Sequence, residues 1–253
     1  MINLLEQQIE TAAGLIRQAK QAVVMTGAGF STPSGVPDFR SPSSGLWQTT
    51  DPMRVASIFS FHENPQHFYD WIRPLSALIL KAQPNPAHEA LAALERAGKI
   101  KVVITQNIDD LHGKAGSQTV VELHGHLRNV TCMRCHAVED ATPIIHKFID
   151  DGQVPHHNCG GVFKPNVTLF GEQLPVREYL TAEQAVKMAD LVIAAGSSLE
   201  VAPASDLPSL AVANQAKIII INYEPTYLDP QATLIIRADV AEVLPRIAEL
   251  VIA

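Results

Sequence analysis

The chain is expected to be an α/β protein: a doubly wound parallel sheet of Rossmann-like type, with a smaller lobe formed by two insertions. Three observations lead there. Short apolar runs recur without alternation, as strands buried on both faces of a parallel sheet require. Helical stretches separate several of them. The residues just after each run are polar or glycine-rich, and open parallel sheets bind ligands beyond the carboxyl ends of their strands.

Residues 4–19 place Leu4, Leu5, Ile9, Ala12, Leu15 and Ile16 in a helical rhythm. The strand candidates are residues 22–25, 102–104, 191–194, 218–221 and 234–236, and helical patterns cover 87–97, 182–189 and 241–252. The runs end in Thr26-Gly27-Ala28-Gly29, Thr105-Gln106-Asn107, Gly196-Ser197-Ser198, Asn222-Tyr223-Glu224 and Ala238-Asp239. Two segments fit this alternation badly. Residues 42–84 are long and mixed, with Pro52, Pro65, Pro74 and Pro84; residues 127–165 carry all three cysteines and Gly160-Gly161. They are expected to build the smaller lobe, leaving 1–41, 85–126 and 166–253 to the larger one.

The 253 residues carry a net charge of −7 and are 47% hydrophobic, which suits a soluble globular chain. There is no Lys/Arg run, so nucleic acid is not expected as a direct ligand. The first residues lack the charged and apolar regions of a signal peptide, and no apolar stretch nears the ~20 residues that span a bilayer. A cytoplasmic location without a membrane partner is expected, with a monomer as the default. In such a chain Cys132-x-x-Cys135 favours a metal over a disulfide.

Gly27-Ala28-Gly29 after the first strand permits a tight turn and a close backbone approach to a pyrophosphate. The dinucleotide fingerprint would put a third glycine at Thr32, and the next one, Gly35, comes late. No acidic residue stands at the end of a second strand to take a ribose, which disfavours an ordinary dehydrogenase.

Residues 27–41, GAGFSTPSGVPDFRS, closely resemble the sirtuin signature. The resemblance continues, in family order, through Thr105-Gln106-Asn107-Ile108-Asp109, Glu122-Leu123-His124-Gly125, Phe170-Gly171-Glu172, Gly196-Ser197-Ser198-Leu199 and Ile221-Asn222-Tyr223-Glu224. It implies NAD-dependent deacylation. The acyl oxygen of an acyl-lysine attacks C1′ of the nicotinamide ribose, nicotinamide leaves, and lysine and O-acyl-ADP-ribose are the products.

By that resemblance His124 is the general base, a task suited to an imidazole titrating near neutrality. Asn107 holds a ribose hydroxyl or a water. The backbone of Ile108 and the side chain of Asp109 hold the carboxamide. Phe39 shields the reacting carbon, and Arg40 holds phosphate or orders the cofactor loop. Gly27, Ala28, Gly29, Thr32, Asp38 and Gln106 belong to the same cofactor site, as do Gly196, Ser197, Ser198, Asn222, Tyr223 and Val240 on the adenosine side. An acyl-lysine peptide is expected to add as a strand between Gly171-Glu172 and Leu199-Glu200-Val201, with Val167 and Phe170 walling the acyl tunnel.

The resemblance also implies a structural zinc. Cys132 and Cys135 supply one pair of ligands. In His156-His157-Asn158-Cys159, His156 falls where a second-pair cysteine is expected, giving Cys132, Cys135, His156 and Cys159. His157 is the rival fourth ligand, and an empty, degenerate knuckle is the other reading. The Tyr-x-x-Arg pair of family members that prefer acidic acyl groups is out of register here, since Tyr69 and Arg73 are four apart; acetyl or other uncharged acyl groups are therefore expected. Deacylation of longer uncharged chains, mono-ADP-ribosyl transfer and a zinc-ribbon interaction module are the alternatives.

Overall fold

The computed structural model describes residues 4–41 and 45–253; residues 1–3 and 42–44 of the expected lobes lie outside the described residues. Six parallel strands form the larger sheet. These are β1 (Ala22–Thr26), β2 (Val102–Thr105), β3 (Val120–Glu122), β7 (Leu191–Ala195), β8 (Lys217–Ile221) and β9 (Leu234–Ile236), in the order β3-β2-β1-β7-β8-β9. The five apolar runs are all strands. β3, only three residues long, is a sixth that its shortness hides in the sequence.

The reason the runs lack alternation is visible in the core. Val24, Leu191, Ile193, Ile219 and Ile221 pack on one face against α1 (Leu4–Gln18), α5 (Pro86–Arg96) and α10 (Val240–Ile252). Val23, Met25, Val192, Ala194, Ile218 and Ile220 pack on the other against α8 (Val176–Met188) and α9 (Leu207–Ala213). Both faces of these strands meet a helical layer, so the runs are apolar at successive positions and polar residues fall at their ends. The chain leaves β1 towards β2 and β3, then restarts at β7 on the other side of β1. The crevice of such a sheet opens at this switch, between the ends of β1 and β7.

Most of the remaining elements lie in or at the edges of the two stretches that broke the pattern. A three-stranded antiparallel sheet joins β4 (Gly125–Cys132), β5 (Val138–Asp140) and β6 (Phe163–Val167) in the order β5-β4-β6, beside α7 (Ala141–Asp151). The other stretch forms α2 (Pro52–Val55), α3 (Ile58–Glu63) and α4 (Pro65–Lys81). The side chain of Asn64 caps α4 at the amide of Gln66, and Pro65 occupies the first turn, where its missing N–H costs nothing. Pro74 sits inside α4, which is why the sequence did not read as a helix.

These helices and the small sheet share one core: Phe68, Tyr69, Ile72 and Leu75 pack with Phe148 and Val167. Tyr69 donates its hydroxyl to the carbonyl of Phe163 (2.6 Å), and Arg73 donates to the carbonyl of Ile149 (2.6 Å). The short helix α6 (Leu111–Lys114) follows β2. Among the described residues no helix is long and apolar enough to cross a membrane.

Candidate active site

A cavity of about 600 Å³ opens over the switch between β1 and β7. All of the expected cofactor residues line it: Gly27, Ala28, Gly29, Thr32, Asp38, Phe39 and Arg40 after β1; Gln106, Asn107, Ile108 and Asp109 after β2; His124 after β3; Gly196, Ser197 and Ser198 after β7; Asn222 and Tyr223 after β8; and Val240 after β9. Strand ends distant in sequence thus converge on one space.

The glycines there have a role beyond leaving room for a ligand. A Cβ on Gly27 would lie 2.8 Å from the Cβ of Ser197, one on Gly29 would lie 3.0 Å from the carbonyl of Gly196, and one on Gly196 would lie 2.3 Å from the amide of Phe30. Gly196 also takes φ 59°. The β1 and β7 loops press backbone on backbone at the switch, and only glycine permits that approach.

Ser31, which the sequence motifs do not single out, is the hub of the next layer. Its hydroxyl donates to Asp109 Oδ2 (2.6 Å) and accepts from Asn107 Nδ2 (3.0 Å). Asn107 Nδ2 also reaches the carbonyl of Gly27 (3.0 Å), so both amide hydrogens serve the protein and only Oδ1 can accept from a ligand. Asp109 Oδ1 accepts from the amide of Leu111 (3.0 Å). Burial pushes the Asp109 carboxyl above its ordinary pKa, against the pull of the Ser31 hydrogen bond. A buried carboxyl with both oxygens so held is suited to an amide N–H. The signal for Ser31 was its place at the end of the glycine loop.

His124 Nδ1 lies 3.0 Å from the carbonyl oxygen of Gln106. A carbonyl can only accept, so Nδ1 carries the hydrogen and Nε2 is left as a free base. Burial lowers the His124 pKa below 6.5; the Gln106 contact opposes this and the Arg40 charge adds to it. The imidazole is therefore neutral at pH 7, the state a general base needs. Its position depends on Gly125 (φ 75°), where a Cβ would collide with the carbonyl of Asn166 at 2.0 Å.

The opposite wall is aromatic and apolar. Phe39 stacks on Trp47 (ring centroids 5.2 Å apart), and Trp47 stacks on Trp71 (5.3 Å). Ile72, Leu75, Ile79 and Val167 continue it. Trp47 and Trp71 were not expected from sequence, because nothing in the 42–84 stretch fixes which face of a helix meets the cleft. Val167, Phe170, Gly171, Glu172, Glu200 and Val201 line the cavity as expected. Leu199 does not: its backbone takes φ 54° and its side chain is buried in the core with Val192 and Leu207. Phe170 spends its backbone groups on the insertion, donating to the carbonyl of Ala56 (2.9 Å) and accepting from the amide of Ile58 (2.9 Å). Glu172 turns to the protein, accepting from the amide of Leu169 (2.7 Å) and pairing with Lys164 (3.1 Å). Arg40 pairs with Glu200 across the cleft (3.1 Å).

The metal reading needs one correction. Among the described residues, Cys132, Cys135, His157 and Cys159 bring their ligand atoms within 4.8 Å of one another, and His156 is not in the group. His156 forms a bridge with Val162, and its Nδ1 bonds the carbonyl of Val154 (2.7 Å), so its ring is held locally. The next residue carries its ring to the thiols: His157 Nδ1 lies 3.3 Å from Cys135 Sγ, while Nε2 faces Glu139 (3.4 Å). An outer carboxylate of that kind orients a metal-binding imidazole. The Cys159 thiol is drawn down to about 6, chiefly by its contact with His157. Three thiols and an imidazole at this spacing are compatible with a tetrahedral structural zinc, whose Zn–S distance is ~2.3 Å. The cluster lies on the small sheet, and none of its ligands lines the large cavity.

Comparison with known proteins fits this geometry. The sequence profile of the Sir2 family matches residues 27–203. An NAD-dependent protein deacylase 2 of Archaeoglobus fulgidus is 45% identical, over 97% of this chain and 96% of that protein. An NAD-dependent protein deacetylase 1 of Geobacillus kaustophilus is 40% identical, over 94% and 97%. A solved structure of a Sir2 enzyme with a deacetylated p53 peptide and 3′-O-acetyl-ADP-ribose superposes with a TM-score of 0.91 at 38% identity, covering 96% of this chain and 98% of that one.

Proposed function

This chain belongs to the Sir2 family, and we propose that it is an NAD-dependent protein-lysine deacylase that takes acetyl or other uncharged acyl groups. The observation that carries the reading is His124: a neutral imidazole with Nδ1 committed to Gln106, in a cavity with strand-end loops on one side and an apolar wall on the other.

The roles come from these surroundings. The strand-end loops take NAD, with Gly196, Ser197, Asn222 and Val240 towards the adenosine. Ile108 and Asp109 take the carboxamide, and Asn107 Oδ1 takes a ribose hydroxyl. Nicotinamide leaves as the acyl oxygen bonds C1′, and His124 Nε2 accepts the proton of the ribose hydroxyl that then attacks the acyl carbon. One water is consumed per turnover; lysine, nicotinamide and O-acyl-ADP-ribose are released. The acyl-lysine peptide lies between Gly171-Glu172 and Glu200-Val201.

An uncharged acyl group is favoured because the Tyr69 hydroxyl and the Arg73 guanidinium are both engaged with backbone carbonyls outside the cavity. Neither of these two side chains is free to fork onto a carboxylate of the acyl chain. Zinc held by Cys132, Cys135, His157 and Cys159 would brace the small sheet and take no part in the chemistry. The enzyme works as a single chain in the cytoplasm.

Mass spectrometry of an acetyl-lysine peptide with and without NAD tests the reading. NAD-dependent loss of the acetyl mass, matched by O-acetyl-ADP-ribose, is the expected result. An unchanged peptide with nicotinamide still released would point instead to ADP-ribosyl transfer.

A further inference from the structure

Behind the strand-end loops lies a second cavity of about 170 Å³. Asn107 and Asp109 line both cavities, so the partition between the two is one residue thick. The rear space is polar. Ser117 and His112 line it, 7% and 1% exposed, and Ser117 Oγ and His112 Nδ1 have no hydrogen-bond partner. The other ring nitrogen, His112 Nε2, is bonded to Thr26 Oγ1 (2.9 Å), which ties this wall to the end of β1. On its outer side Arg128 bridges Asp110 (2.6 Å) and Glu122 (2.7 Å), all three residues lining the cavity.

Ser117 Oγ and His112 Nδ1 are sealed from solvent as placed, but their residues line a space that has room for several waters. In the front cavity NAD would cover the strand ends and the acyl chain would lie against Phe39, Trp47 and Trp71, so both would take up space open to water. Yet deacylation consumes a water. We propose that the rear cavity is a water site that feeds the reaction, passing water between Asn107 and Asp109 into the space that nicotinamide vacates. This rests on the deacylase reading. The water oxygen bonds the acyl carbon as the lysine C–N bond breaks. The bond between the acyl carbon and the amide oxygen also breaks, leaving that oxygen on C1′; both water protons leave on the amine, and the ribose hydroxyl proton moves to the C1′ oxygen. His112 and Ser117 line the water site and touch neither substrate.

Two variants would plug the space. A Cβ at Gly113, which lines the cavity, would meet only the Asp110 side chain at 3.0 Å, so Gly113→Leu fits a helix that glycine weakens. Ser117→Leu fills the same space from the other side, and Ser117→Ala leaves it open. The readout is the ratio of lysine release to exchange of labelled nicotinamide into NAD, since exchange reverses the first step and needs no water. Both leucine variants are expected to lower the ratio about fivefold or more with exchange unchanged, and Ser117→Ala, which leaves the space open but takes one hydroxyl from its lining, to lower it less. An unchanged ratio in the leucine variants, or exchange falling in step with release, would overturn the rear route alone. A parent chain that does neither defeats the deacylase reading, and the water route with it.

Discussion

The two walls of the main cavity are made by different means. The strand-end wall is largely backbone: Gly27, Gly29 and Gly196 let two loops touch, and Ser31, Asn107 and Asp109 lock one another. The opposite wall is side chains alone, Trp47, Trp71, Ile72, Leu75 and Ile79, delivered by an insertion. A backbone wall tolerates almost no substitution, because any Cβ meets main chain. A side-chain wall can be trimmed or filled residue by residue. On the proposed reading, the first would fix which co-substrate is bound and the second would tune what is deacylated.

The sharpest way to break this contrast is Gly196→Ala. With φ 59° and a 2.3 Å clash against Phe30, it should cost about 3 kcal/mol or more and abolish NAD binding in calorimetry. Full binding would show that the loops do not need their close approach.

Next in size is the metal cluster, remote from both walls. Cys159→Ala or His157→Ala should lose the metal by elemental analysis and lower Tm by roughly 10 °C. His156→Ala should change neither. Retained zinc in His157→Ala would restore His156 as the ligand.

Ser31→Ala comes third. It leaves the buried Asp109 carboxyl short of one donor and should raise the KM for NAD about tenfold, with the fold intact. Trp71→Ala should be mildest, shifting kcat/KM from acetyl towards longer acyl chains by a few-fold while the KM for NAD stays put. An equal loss across all chain lengths would remove Trp71 from the acyl wall.

The contrast also explains what was legible in the sequence. The strand-end residues that the family resemblance assigned to the cofactor all line one cavity, since a parallel sheet brings strand ends together whatever lies between them. Ser31 was within that motif, but its part appears only when Asp109 and Asn107 close around it. Trp47 and Trp71 were invisible, since the facing of Trp71 depends on how α4, with Pro74 inside it, packs on the small sheet, and Trp47, in the turn at 46–48, stacks on it. His156 and His157 illustrate the same limit: adjacent residues in an extended segment face opposite ways, and spacing alone does not say which. That the Leu199 side chain turns into the core, with a positive φ, was likewise not announced by any sequence pattern.

The pH dependence of kcat/KM bears on the base. Burial lowers the His124 pKa below 6.5 and the reaction needs the neutral ring, so the rate should rise with pH through a limb below 6.5 and be level on that side at 7. The most direct test of His124 as the base is His124→Ala, assayed beside the parent for NAD-dependent lysine release and for NAD affinity. A fall of about a hundredfold or more in lysine release is expected, with NAD bound as in the parent. Deacylation at the parent rate in that variant would contradict the assignment.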